Sequence, residues 1–208
     1  MDDVGETRNS RVAVAASGSD LYGFAGINEK TFTADETVVV VFDIQGSVPG
    51  KAWGVDQIPQ QGLPAVVTTP DGQHGLTVPG GDAPATLQFA VLKQGDGAVL
   101  AEDQTIYAHY LRLDWNDPKA IASTKSTWDD FGSPEPLLLS PLDTSTGLGL
   151  TSGLLQALVG QKVGSQIIVV VPPAFGFPDG ATVPDGVDAT STLVYVIDIL
   201  GLDEVSSQ

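Results

Sequence analysis

The chain alternates short apolar runs with Gly- and Pro-rich turns, and one segment repeats its apolar positions at helical spacing. Strand-like runs fall at residues 12–16, 37–44, 65–69, 86–93, 105–113, 167–171 and 192–200. Within 151–159, Leu154, Leu155, Leu158 and Val159 form an apolar stripe that predicts a helix. Thr151 or Ser152 is placed to cap its start, and Gly160 to end it. One short helix among many strands predicts an α+β architecture, a sheet wrapping a single helix.

An internal repeat sets the domain organisation. Shifting the chain by 155 residues lays Val12–Ala16 on Ile167–Val171, Tyr22 on Phe177, and TVVVVFDIQG on TLVYVIDILG. No gap is needed from residue 9 to 46, and the identities include Ser10/Ser165, Val14/Val169, Val41/Val196, Asp43/Asp198 and Gly46/Gly201. Residues 1–46 therefore read as the C-terminal part of a domain similar to the one formed by 85–208. Residues 47–84 read as a Pro/Gly-rich connector with one short hairpin around Asp71-Gly72.

Composition narrows the chemistry. With 9 basic and 26 acidic residues the net charge is -17, which disfavours nucleic acid and anionic membranes as partners. A hydrophobic content of 42% is enough for a core, and the absence of cysteine removes disulfides and thiol chemistry. The start, MDDVGE, has neither a basic n-region nor an apolar h-region, and no apolar run approaches transmembrane length. His74 and His109 lack ligand spacing, no EF-hand spacing surrounds Asp179, Asp185 and Asp188, and no G-x-S-x-G is present. Neither a metal nor a cofactor is expected.

The segment GLLQALVGQKVGSQIIVVVPPAFGFPDG, followed after a loop by TSTLVYVIDIL, resembles the C-terminal half of an FKBP-type peptidyl-prolyl cis-trans isomerase. The resemblance continues upstream through LQFAVLKQGDGAVL, YAHYLRL and TKSTW. It implies an antiparallel half-barrel sheet wrapped around one short helix, preceded by a partial copy of the same fold. By the same resemblance Tyr110, Phe177 and Tyr195 are the aromatic walls of a proline pocket, our candidate catalytic residues. Leu150, Thr151, Leu154, Lys125 and Trp128 are the candidate substrate-binding residues. The chain departs from the family pattern at three of its pocket positions. Thr124 stands where the family has an aromatic, Lys125 where it has a carboxylate, and Phe177 where a tyrosine hydroxyl is usual.

That chemistry needs neither nucleophile nor metal. An X-Pro amide rotates over a barrier of ~18–20 kcal/mol made by resonance in the planar state. The twisted transition state separates less charge, so a dry apolar pocket favours it. The resemblance implies proline-containing protein clients, with macrolides as a further ligand class and a backbone N–H near Thr151 holding a substrate carbonyl. It also implies an extracellular or cell-envelope protein, reached by the membrane only through a lipid anchor of which this chain shows no sign. The three departures lower the expected activity. Two other readings stand beside the isomerase: a weakly active proline-binding or chaperone module, and a β-sandwich surface domain. A helix at 151–159 packed inside the sheet discriminates against the sandwich.

Overall fold

The computed structural model describes residues 10–22, 28, 30–44, 47–119, 125–128 and 133–203. It divides into two compact units, Met1–Ser47 and Val48–Gln208.

The described part of the first unit is a hairpin of β1 (Ser10–Ser17) and β2 (Thr37–Ile44). Its register pairs Arg11 with Asp43 and Ala16 with Val38. A single 3-10 turn at Ser19–Leu21 follows β1. Tyr22 closes the turn by donating its hydroxyl to the Phe32 carbonyl at 3.1 Å.

The second unit contains β3 (Val55–Asp56), β4 (Ala65–Thr68), β5 (His74–Thr77), β6 (Gln88–Gln94), β7 (Thr105–Asp114), β8 (Lys125–Ser126), β9 (Glu135–Leu138), α1 (Ser152–Leu158), β10 (Gln166–Val171) and β11 (Leu193–Leu202). Seven strands form one antiparallel sheet in the order β3-β6-β10-β11-β7-β8, with β9 also pairing with β7. β4 and β5 form a separate hairpin.

Alternation along the central strands explains why both sheet faces are dry. On β11, Leu193, Tyr195, Ile197 and Ile199 share a cluster with Leu154, Ala157 and Leu158 of α1. Val194 and Val196 turn the other way, with Ile168, Val170, Leu111 and Leu113, and are covered by Leu63, Val66, Leu76 and Val78 around the β4–β5 hairpin. Strands covered on both faces read as continuous apolar runs, which is why IIVVV shows no alternation in sequence.

The expectation of a connector over 47–84 is corrected. The second unit begins at Val48, β3 adds to the edge of β6, and the β4–β5 hairpin packs on the sheet. The Asp71-Gly72 turn does form, with Gly72 at φ 100° and the Gln73 carbonyl accepting from the Thr69 N–H at 2.9 Å. What the turn residues could not reveal was a docking contact. His74 Nε2 lies 3.0 Å from Asp198 Oδ1, and both side chains are fully buried. Asp198 also accepts from Gln166 Nε2 at 2.8 Å and from the Ala52 N–H at 2.9 Å. Trp53 lies against Gly164, whose φ of 90° and contact with the indole leave no room for a Cβ.

The helix runs Ser152–Leu158 and Gly160 follows it at φ 86°. Thr151 occupies the N-cap position, but its side chain makes no capping hydrogen bond. Ser152 Oγ bonds the Phe175 carbonyl instead, at 3.3 Å.

Candidate functional site

Between α1 and the sheet lies a cavity of about 190 Å³. For scale, an apolar cavity of ~150 Å³ accepts benzene, so this one has room for a pyrrolidine ring. Six of the eight residues expected at the site line it: Tyr110, Leu150, Thr151, Leu154, Phe177 and Tyr195.

Each is placed by a different local device. Tyr110 of β7 lies opposite Ile197 of β11, and Arg112 opposite Tyr195, so all four face the helix. Leu154 and Leu158 come from the apolar stripe of α1. Leu150 and Thr151 arrive through a loop pinched at its neck. The Leu150 N–H donates to the Ser140 carbonyl, and the Leu142 N–H to the Leu150 carbonyl, both at 2.9 Å. Gly149, at φ 95°, lets the neck close, because a Cβ there would lie 2.6 Å from the Pro141 oxygen. Phe177 follows the 3-10 turn Pro173–Phe175 at the end of β10, and Thr182 and Pro184 complete the rim from the next loop.

The other two expected residues lie outside the lining. Lys125 sits on β8, its Nζ 2.5 Å from Glu135 Oε1 and 6.0 Å from the centre of the Tyr110 ring. Trp128 packs behind the sheet. Its ring stacks on His109 at 4.3 Å and meets His74 edge-on at 4.5 Å. His109 pairs with Asp198 across β7 and β11, on the face opposite Tyr110. Trp115 belongs to that face too and donates its indole N–H to the Gly81 carbonyl at 3.3 Å. Thr124 lies outside the described residues.

Two polar features were missed in the sequence. Glu135 accepts the Tyr110 hydroxyl at 2.8 Å, so a carboxylate does reach this tyrosine although position 125 holds lysine. Only the β7–β9 register, which sets Glu135 opposite Ala108, brings the two together; no short-range spacing announces it. Arg112 is buried and lies opposite Tyr195 across β7 and β11. Burial pushes the Tyr195 phenol up to about 12, against a smaller opposing pull from Arg112. The Tyr110 phenol is raised further, first by burial and then by its bond to Glu135. Both rings are neutral walls at ordinary pH. Phe177 brings no hydroxyl, whereas Tyr22, at the matching place in the first unit, has one.

One helix enclosed by an antiparallel sheet, with an aromatic cavity between them, is the FKBP-type fold. The chain is a homologue of an FK506-binding protein from Streptomyces anulatus, with 26% identity over 125 residues that cover 60% of this chain and 92% of the relative. No family model matches the sequence. Among solved structures, FkpA from Escherichia coli aligns with a TM-score of 0.45 and 20% identity over 66% of this chain and 51% of FkpA, so this chain spans about half of that protein. The N-terminal domain of FKBP42 from Arabidopsis thaliana aligns with a TM-score of 0.42 and 21% identity, over 62% of this chain and all of that domain (100%).

Proposed function

We propose that the chain is a peptidyl-prolyl cis-trans isomerase of reduced activity, acting on X-Pro bonds of protein clients. The observation that carries this is the convergence of Tyr110, Leu150, Thr151, Leu154, Phe177 and Tyr195 on one cavity of about 190 Å³. A proline ring seated among these walls places its amide in a low-dielectric site. There the planar, charge-separated form is favoured less than it is in water, and the twisted form loses little. Homology to an FK506-binding protein supports the same reading and adds macrolides as a ligand class.

Reduced activity follows from the pocket's own chemistry. Phe177 offers no hydroxyl to a ligand carbonyl, and a missing hydrogen bond typically costs ~0.5–1.5 kcal/mol, up to tenfold. A weakly active proline-binding or chaperone module is the second reading, favoured by Phe177 and by Lys125. On either reading the clients are proline-containing proteins, and we place the protein in the cell envelope or outside the cell.

NMR exchange spectroscopy on a Leu-Pro tetrapeptide separates the two. The isomerase reading expects cis–trans exchange faster than in buffer, with a matching loss when Leu154→Asp fills the cavity with charge. Peptide binding without any gain in exchange leaves only the binding module. Neither binding nor exchange at high protein concentration sinks both.

A further inference from the structure

We propose that the Thr151 hydroxyl is a ligand-binding group of the cavity, selecting prolyl peptides that present a carbonyl oxygen beside the proline ring. This rests on the proline-pocket reading. Its own evidence is an unsatisfied atom. Among the described residues, Thr151 Oγ1 is the one buried side-chain oxygen or nitrogen without a hydrogen-bond partner. The residue lines the cavity and is 3% exposed.

Such atoms are rare in folded proteins and call for a reason. Helix capping is the ordinary reason for threonine at this position, and here the side chain makes no cap bond. Of the aromatic walls, Tyr110 already donates its hydroxyl to Glu135, and Phe177 has none to give. Thr151 therefore holds hydrogen-bonding capacity that no protein group uses. A hydroxyl absent at position 177 is supplied at 151, in the same cavity.

Thr151 Oγ1 is also out of reach of water, so solvent does not satisfy it. A threonine has three staggered χ1 positions, and a turn between them exchanges hydroxyl and methyl. Engagement by a ligand carbonyl goes with such a turn toward the cavity. The bond then forms in a dry site, where it discriminates strongly against a ligand that lacks the acceptor.

The test uses the full chain, a Leu-Pro dipeptide amide, and the same amide with the X-Pro carbonyl oxygen replaced by sulfur, a poorer acceptor. Affinity is followed by NMR titration and folding by thermal unfolding. For T151V the Kd for the oxo-peptide is expected to rise five- to tenfold, with Tm unchanged or raised because a buried orphan oxygen has gone. T151S is expected to stay within twofold of wild type. The thio-peptide is expected to bind wild type and T151V alike. Oxo-peptide binding by T151V at wild-type strength overturns the proposal and leaves the proline-pocket reading intact. A lowered Tm or failed folding in T151V, with T151S intact, assigns the hydroxyl to structure and also overturns it. Absence of oxo-peptide binding by wild type removes both readings together.

Discussion

Gln166 faces Asp198 in the β10–β11 hairpin, and Arg11 faces Asp43 in the β1–β2 hairpin 155 residues earlier. Every paired position of β10 maps onto β1 under that shift, so the two hairpins share one register. Their surroundings differ completely. Val169 is fully buried whereas Val14 is 41% exposed, and Val39 and Val41 are more exposed still. In the second unit β6 and β7 close both edges, α1 covers one face and the β4–β5 hairpin the other. The matching polar pair has followed its environment. Arg11 and Asp43 form an exposed ion pair, with the Arg11 hydrogen bond holding the Asp43 carboxyl below its ordinary range. Gln166 and Asp198 form a buried hydrogen bond without a second formal charge. The comparison teaches that alternation and register specify a hairpin, while its neighbours decide whether that hairpin is a core.

The largest expected effect separates the two directly. Val169→Asp puts an unpaired carboxylate into a dry core and should cost more than ~4 kcal/mol, unfolding the second unit. Val14→Asp, at the equivalent place, should stay within ~0.5 kcal/mol in urea unfolding. Equal losses would mean that β1 is covered in solution as fully as β10. Next comes the polar pair. Asp198→Asn turns one acceptor into a donor facing Gln166, His74 and the Ala52 N–H, at a cost of about 2–3 kcal/mol. Asp43→Asn should leave the urea midpoint where it is. A D198N protein as stable as wild type would show that the clasp between the β4–β5 hairpin and the sheet is dispensable.

The last effect is alkaline and accrues gradually with pH. Tyr195 is raised in the folded state from 10.0 to about 12, so the folded chain holds its proton where the unfolded chain has lost it. Its contribution is complete below pH 10 and is lost as pH rises toward 12, at up to ~1.4 kcal/mol per pH unit. Tyr110 is shifted in the same direction and adds to the slope. The position matching Tyr195 in β2 is Val40, so the decline belongs to the second unit. Urea midpoints between pH 9 and 11.5 should fall for wild type and fall less steeply for Tyr195→Phe.

The sequence made these strands, the helix and much of the cavity legible because each rests on local signals. The apolar stripe at Leu154 and Leu158, the glycine at 160 and the turn at Asp71-Gly72 all formed as read. Tyr110, Phe177 and Tyr195 met because strand alternation and a conformationally restricted Pro-Pro turn aim them inward. Long-range register was not legible. Nothing near Lys125 says that Glu135 supplies the carboxylate, and nothing near His74 says that it buries itself against Asp198. Trp128 illustrates the limit most simply, since its side chain lies behind the sheet, between His74 and His109.

Between Val171 and Leu193 the chain leaves the sheet, builds one wall of the cavity through Phe177, Thr182 and Pro184, and returns. Both ends are anchored at buried residues, Val171 and Leu193. The entropy of closing such a loop grows slowly with length, by only ~0.6 kcal/mol per doubling. Insertions or deletions around residues 178–190 would therefore reshape what the mouth admits at small thermodynamic cost. Ligand choice and fold stability can then drift separately through evolution, in a chain whose sheet stays the same.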